Sequence, residues 1–350
     1  MKNIISGDED SFYNYISEGC RICQMGAKMV LFVTGVCGRN CYYCPLSEER
    51  KEDTVYANET IVYSDKDITN EVLQMNALGT GITGGEPLYK PERTIYYISL
   101  LKSEFGESHH IHLYTSIAVD KDTLTRLKNA GLDEIRFHPP QEIWDTLDRS
   151  QFPDSFKNAM NIGLDAGIEI PAIENAEYIA EFIQNTDGFL NLNELEFTDT
   201  NSNELKKQSY SLRNDTSNAA SNSRELAKNL AENYQNTSIH FCSSSYKDAV
   251  QFKRRLIRTA EKTARPFDDI TEDGTVVYGL IENTKLENTI NMLKEFEVPE
   301  DMYEINNTDI EIAWWILEDT ADKLKNTGCN TTIIERYPLK NGLIVETIPV

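Results

Sequence analysis

Between Met29 and Phe241, short apolar, β-branched runs alternate with longer amphipathic ones, and this alternation constrains the fold more than any other feature of the 350-residue chain. The spacing predicts strands at Met29–Thr34, Thr80–Thr83, His110–Thr115, Glu134–Phe137, Ile168–Ala172, Glu194–Phe197 and Ser238–Phe241. Helices are predicted between them, at Ile68–Ala77, Glu92–Glu104, Lys121–Asn129, Asp154–Ala166, Ala176–Gln184 and Arg224–Asn233. Strand, helix, strand repetition of this length makes a parallel sheet, because parallel neighbours need a crossover of a dozen residues or more. Six or seven such units give an α/β fold, an open and partial (β/α)6-type TIM-like barrel, whose chemistry belongs on the loops that follow the strands. Gly131 and Gly167 stand where the third and fourth crossover segments should stop, as helix-ending glycines.

The loop after the first strand carries Cys37, Cys41 and Cys44 in a C-x3-C-x2-C triplet. Thiolates suit iron–sulfur clusters, and a closed 4Fe-4S site takes one protein ligand per iron. Three cysteines leave one iron open, free to chelate the amino and carboxylate groups of S-adenosylmethionine. An electron entering the sulfonium from the cluster then releases a 5′-deoxyadenosyl radical, chemistry that belongs to the cofactors. The bland alternative is three ligands of a zinc site with a distant fourth. A second motif, Thr83-Gly84-Gly85-Glu86-Pro87, follows the next strand. Its glycines allow close backbone approach to a ligand and Glu86 offers a carboxylate, although two glycines before Glu-Pro also suit a plain turn.

Together these motifs resemble the signatures of the radical S-adenosylmethionine (SAM) superfamily. The stretch from about Gly19 to Glu282 is similar to an archaeal group of uncharacterised members related to pyruvate formate-lyase activating enzymes. The phrases that carry this are Gly19–Val30, Cys41–Ser47, Val55–Glu59, Phe137–Pro140 and Ile270–Thr275. The resemblance implies a radical SAM barrel, a 4Fe-4S cluster on the three cysteines, and Gly84, Gly85 and Glu86 at the SAM amino group. It implies Tyr43 near the adenine ring and an electron donor such as ferredoxin or flavodoxin. The enzyme would be oxygen-sensitive, and no particular substrate is implied.

Other residues stand at predicted strand ends: Thr115 and Ser116, Arg136 and His138, Glu169 and Glu174, Glu196 and Thr198. Of these, Ser116 and His138 are candidates to contact SAM or substrate, and His138 has a plain structural reading as well. Ala166–Glu174 is similar to the family's fifth-strand G-x-I-x-G-x-x-E pattern, with Glu169 and Pro171 departing from it. His110 and His112 share one strand face, with no partner evident. Cys20 and Cys23 form a C-x2-C pair which, with Cys242, makes a candidate auxiliary metal site; alternatively all three are buried thiols. Cys329 reads as incidental.

The acidic balance, 57 Asp and Glu against 34 Lys and Arg for a formal charge of −23, disfavours nucleic acid and anionic membrane as partners. The basic run from Lys253 to Arg265 spreads around a helix and reads as a solvated face. Neither a secretory signal nor a long apolar span is evident, so a cytoplasmic protein is expected. Three parts are expected: residues 1–28 with the C-x2-C pair, the barrel over 29–270, and an α+β appendix over 271–350. Within the appendix we expect strands at Thr275–Ile281, Thr331–Arg336 and Leu343–Ile348, and helices at Leu286–Phe296 and Asp309–Leu324. Adjacent Trp314 and Trp315 point to different sides of a helix, so one of them is expected in the core. The Asn-, Ser- and Thr-rich stretch 199–223 reads as a mobile loop on the active face, a lid or an insertion.

The leading reading is an enzyme acting on a small molecule, a peptide or, as a glycyl-radical activase, a protein partner. The alternative is a non-catalytic metal-binding or redox-sensing scaffold.

Overall fold

A computed structural model of the protein describes residues 3–282, 285–339 and 342–350. The chain divides into two units, one running to Leu73 and from Ala77 to Phe252, the other comprising Gln74–Asn76 and Lys253–Val350.

Seven parallel strands build the first unit: β1 (Lys28–Phe32), β2 (Gly79–Thr83), β3 (His110–Thr115), β4 (Glu134–Phe137), β5 (Asp165–Pro171), β6 (Phe189–Asn193) and β7 (Ser238–Cys242). They lie side by side in sequence order. β1 and β7 do not pair. Instead the antiparallel strand Tyr56–Ala57 covers β1, and Phe12–Tyr13 covers β7. The barrel is therefore open, with both edges protected by short antiparallel strands. Crossovers are made by α2 (Asp65–Gln74), α3 (Pro91–Phe105), α4 (Lys121–Asn129), α5 (Phe152–Asn161), α6 (Ala176–Gln184) and α8 (Ser223–Asn233), with a short α7 (Ser202–Lys207) after β6. Asp120 caps α4 by accepting from the Thr123 amide at 2.9 Å, and Gly131, at φ 109°, ends it as expected.

The strands are two-faced. Met29, Leu31, Ile82, Leu113, Ile135 and Phe241 point outward and are buried under the helices. Facing inward are Lys28, His112, Tyr114, Arg136, Glu169 and Asn191, where a barrel of this kind is more often filled with branched apolar residues. One helix, α1 (Glu18–Gln24), lies at the N-terminal mouth. Its Gly19 amide donates to Glu134 at 3.0 Å, and Ile22 packs against Gly79 at the start of β2.

Several expectations shift. The sixth strand is Phe189–Asn193 and not Glu194–Phe197, because the alternating Phe-Leu-Asn-Leu-Asn run satisfies both a buried outer face and a polar inner one. The helix expected to run to Ala166 stops at Asn161, and Gly167 lies inside β5. Its role is packing: a Cβ there would lie 2.2 Å from the Phe189 ring. The stretch 199–223 holds α7, with Leu205 fully buried, and the bridges Glu196–Ala219 and Leu212–Ala220. A polar composition hid these few apolar anchors.

The second unit is an antiparallel sheet ordered β9 (Tyr303–Asn306), β10 (Asp309–Ile312), β8 (Val276–Glu282), β11 (Asn330–Arg336) and β12 (Ile344–Pro349). Three helices belong to the same unit: α9 (Lys253–Thr263), α10 (Leu286–Glu295) and α11 (Trp314–Lys325). Leu293, Leu317 and Leu324 meet Ile281, Ile310 and Ile312 in its core, where Cys329 is also buried. The helix expected over Asp309–Leu324 is thus split, its first residues being strand β10. Neither tryptophan is a core residue: Trp315 is 39% exposed, and half-buried Trp314 donates its indole N–H to Asp269 at 3.2 Å. No described helix is long and apolar enough to cross a membrane.

Candidate functional site

Two loops at the C-terminal ends of β1 and β2 are joined by backbone hydrogen bonds. The Gly85 amide donates to the Thr34 carbonyl at 2.8 Å, and the Glu86 amide donates to Val36 at 2.9 Å. Glycine is needed on the strand-end side: a Cβ would lie 2.4 Å from the Thr34 carbonyl at position 84 and 2.4 Å from the Gly35 carbonyl at position 85. The far side of the cysteine loop is tied down as well. Asp53 accepts from Thr34 at 2.8 Å, from Arg93 at 2.6 Å and from Lys90 at 2.8 Å, and these donors hold its carboxyl well below the ordinary carboxylate value.

Cys37, directly after this zipper, is exposed, while Cys41 and Cys44 are half-buried. The Cys44 amide closes a turn onto the Cys41 carbonyl at 3.0 Å. Burial pushes the Cys37 and Cys41 thiols up, joined by the charges of Glu86 and Cys44 at Cys37 and of Cys44 and Cys37 at Cys41. Three soft donors sharing one cavity edge with Gly84 and Gly85 are the donor chemistry of an iron–sulfur cluster with one open iron. By donor type, three thiols on one loop with no fourth, the residues present therefore fit the group.

Glu86 is 1% exposed, and both its oxygens are engaged. Oε1 accepts from the Leu88 amide at 3.0 Å and the Thr115 hydroxyl at 2.8 Å; Oε2 accepts from the amide and the hydroxyl of Ser116, each at 2.6 Å. The carboxylate thus ties the end of β2 to the end of β3. Arg39, within the cysteine triplet, donates to the Ser116 carbonyl at 3.3 Å. The hydroxyl of Tyr43 donates to Nε2 of His138 at 2.9 Å, while His138 Nδ1 stands 2.7 Å from the Glu169 carbonyl. A carbonyl only accepts, so Nδ1 carries the hydrogen and Nε2 is the acceptor. Burial pushes the His138 imidazole down, which keeps it neutral. Asn201, from the stretch after β6, donates to the Tyr43 carbonyl at 3.1 Å. This stretch therefore leans over the cysteine loop.

Below these loops a cavity of about 1410 Å³ extends into the barrel. Arg136, 2% exposed, donates to Glu134 at 2.5 Å, Glu169 at 2.7 Å, Tyr114 at 2.9 Å and Ser17 at 3.0 Å. Burial opposes the charge of Glu169, but Arg136 with the Asn193 and Asn191 amides lowers its carboxyl to about 2. Lys247 pairs with Glu196 at 2.5 Å. Lys28 rises from β1 past Gly81, where a Cβ would meet its Cδ at 3.2 Å. Burial works against its charge, yet Cys23, Tyr114 and Glu169 outweigh this, so its ammonium stays above the ordinary lysine value. His110 finds Glu134 at 3.5 Å, whereas neither ring nitrogen of buried His112 has a hydrogen-bond partner.

Cys20, Cys23 and Cys242 do converge on this cavity, as their sequence pattern suggested. Burial pushes Cys20 to about 11 and Cys242 to about 12, so both are neutral thiols near pH 7. Cys20 accepts from the Asn191 amide at 3.3 Å. No trio of Cys, His, Asp or Glu side chains among the described residues, the three loop cysteines included, stands at metal-holding distance. Nothing observed here supports a second metal centre on Cys20, Cys23 and Cys242.

Reasoning from sequence missed Lys28, Asn191, His240 and Lys247. Lys28, Val30 and Phe32 alternate with the buried Met29 and Leu31, and Asn191 and Asn193 alternate with Leu190 and Leu192. That period-2 pattern was the available signal for the inner face.

Residues 31–183 match the family described as the radical SAM superfamily, and residues 274–350 match a domain of unknown function, DUF8061. A protein of Methanocaldococcus jannaschii described as a "Putative glycyl-radical enzyme activating enzyme" is 39% identical, covering 96% of this chain and 93% of its own. Among solved structures, methylornithine synthase is similar at 15% identity, with a TM-score of 0.42 over 61% of this chain and 63% of that one. A mutant tryptophan synthase α-subunit from Pyrococcus furiosus is similar at 14% identity, with a TM-score of 0.30 over 57% and 93% of the two chains.

Proposed function

The chain belongs to the radical SAM superfamily, an enzyme family whose cofactors are SAM and a 4Fe-4S cluster, and on that premise we propose that Cys37, Cys41 and Cys44 hold the cluster and that the barrel below holds the substrate. When bound, cluster and SAM together supply a 5′-deoxyadenosyl radical that abstracts hydrogen from the substrate. The chain's own residues position and shield. The amide zipper from Gly85 and Glu86 to Thr34 and Val36 fixes the cysteine loop against the strand end that would receive the SAM amino group. Glu86 acts as a positioning residue, orienting Ser116 and Thr115 toward the same edge. Tyr43, held by His138 and Asn201, would present its ring beside Cys44 for the adenine.

The observation carrying this reading is the hydrogen-bonded union of the cysteine loop with the Gly-Gly-Glu strand end. Anaerobic reconstitution with iron and sulfide, reduction and addition of SAM tests it. The expected products are 5′-deoxyadenosine and methionine. Their absence from a reduced, cluster-loaded sample overturns the proposal.

A second reading, activation of a glycyl-radical enzyme, follows the description of the Methanocaldococcus relative. It predicts a protein partner whose backbone reaches the barrel. Thr200, Asn201 and Glu204, from the stretch after β6, line the same cavity that such a backbone would enter.

A further inference from the structure

We propose that the inner chamber of the barrel is a binding site for a small organic acid carrying a hydrogen-bond donor, an amino or hydroxy acid, with Lys28 as the counter-ion of its carboxylate and Asn191 as acceptor for its donor group. This names the substrate class for the radical SAM reading and rests on that reading for its catalytic meaning. The binding itself stands on the geometry of the chamber.

The charges deep in the chamber are otherwise satisfied. Arg136 is spent on Glu134, Glu169, Tyr114 and Ser17, and Lys247 on Glu196. Glu169 is spent on Arg136, Asn191 and Asn193. Lys28 lines the same cavity, and it has neither a hydrogen bond nor an ion pair among the described residues. The half-buried ammonium is held charged by Cys23, Tyr114 and Glu169 without being hydrogen-bonded to them, so an entering carboxylate can take its open donor positions.

Two further groups point the same way. Asn191 is 3% exposed and its Oδ1 lacks a donor, although its Nδ2 is used. His240, its neighbour across the β6–β7 ladder, is 3% exposed with Nε2 unpartnered. Both line the cavity. One carboxylate and one donor would satisfy the cation and the acceptor together, leaving the neutral imidazole of His240 to bond either group. Access is provided by Gly81, whose missing side chain lets Lys28 rise toward the loop end of the barrel.

The test uses the full chain, purified without oxygen, and isothermal titration calorimetry. Probes are L-alanine, L-lactate, L-glutamate, L-lysine and propionate, each with its methyl ester. At least one amino or hydroxy acid should bind, with its ester and propionate about tenfold weaker or more, the scale of one lost buried charge contact. Lys28→Met should weaken that acid by about tenfold while leaving its ester nearly unchanged, and Lys28→Arg should retain most of the affinity. If Lys28→Met fails to fold by circular dichroism, Lys28→Gln replaces it. Failure of every acid to bind, equal binding of acid and ester, or indifference to the Lys28 substitutions overturns the proposal. The same titration on Cys37→Ala/Cys41→Ala/Cys44→Ala separates the two ideas: acid binding should persist there, whether or not the intact enzyme cleaves SAM.

Discussion

The Gly85 amide donates to the Thr34 carbonyl at 2.8 Å, so the loop that carries the three cysteines and the strand end that carries Gly-Gly-Glu form one hydrogen-bonded piece. Elements about fifty residues apart are held in register by this contact and its neighbour from Glu86. The consequences are measurable.

Gly85→Ala places a Cβ 2.4 Å from the Gly35 carbonyl, a backbone atom that cannot step aside cheaply. The zipper should part at a cost of about 2–4 kcal/mol. Iron content after reconstitution and 5′-deoxyadenosine yield should fall together, by about tenfold or more, if the loop is what misplaces the cluster. Normal iron with a normal yield would contradict the positioning role.

Glu86→Gln replaces an oxygen that receives Ser116 donors with an amide group that itself donates. Two donors then face each other inside a buried site, destabilising the first unit by about 2–4 kcal/mol. Urea unfolding followed by tryptophan and tyrosine fluorescence should show the shift, and an unchanged midpoint would exclude the strap between β2 and β3.

Tyr43 and His138 share a part-buried hydrogen bond of 2.9 Å. A double-mutant cycle with Tyr43→Phe and His138→Leu should return a coupling energy of about 1 kcal/mol. Simple additivity would mean that the two side chains act separately.

His109 is buried beside Lys102, and burial first, then Lys102 and His110, lower its imidazole to about 4. The folded value lies below the unfolded value of about 6.5, so the fold favours the neutral ring. Its contribution is fully present above the unfolded value and is lost as pH falls toward 4. Stability should therefore rise with pH across that window, by at most roughly 3 kcal/mol from this residue. His109→Gln, which can still meet the Thr80 hydroxyl, should flatten the slope in a series of urea titrations.

Arg136→Met leaves Glu134 and Glu169 buried without their shared cation. The expected loss is about 3–5 kcal/mol, and the Glu169 carboxyl, now held to about 2, should rise. Thermal unfolding at neutral and mildly acidic pH should show the variant recovering part of its deficit as the carboxylates take up protons.

Much of the first unit was legible because its signals are local or periodic. β3 and β4 lie where the β-branched runs place them, as do α4 and α6. Their length and period need no knowledge of neighbours. β6 was misplaced, since Phe189–Asn193 becomes a strand only when β5 and β7 stand on either side of it. The same dependence misled the reading of Gly167, which resembles a helix stop in sequence but makes room for Phe189 on the adjacent strand.

By itself the sequence determined the repeated βα layout, the cysteine triplet and the Gly-Gly-Glu strand end, because spacing along a chain dictates periodicity and the donor set of a loop. Only the tertiary structure decided that Glu86 is spent on Ser116 and Thr115, that Cys20 and Cys242 line one cavity as neutral thiols, and that Lys28, Asn191 and His240 line that same cavity. The physical reason is that hydrogen-bond saturation and burial are properties of groups brought together from distant strands, and no single stretch of chain contains them.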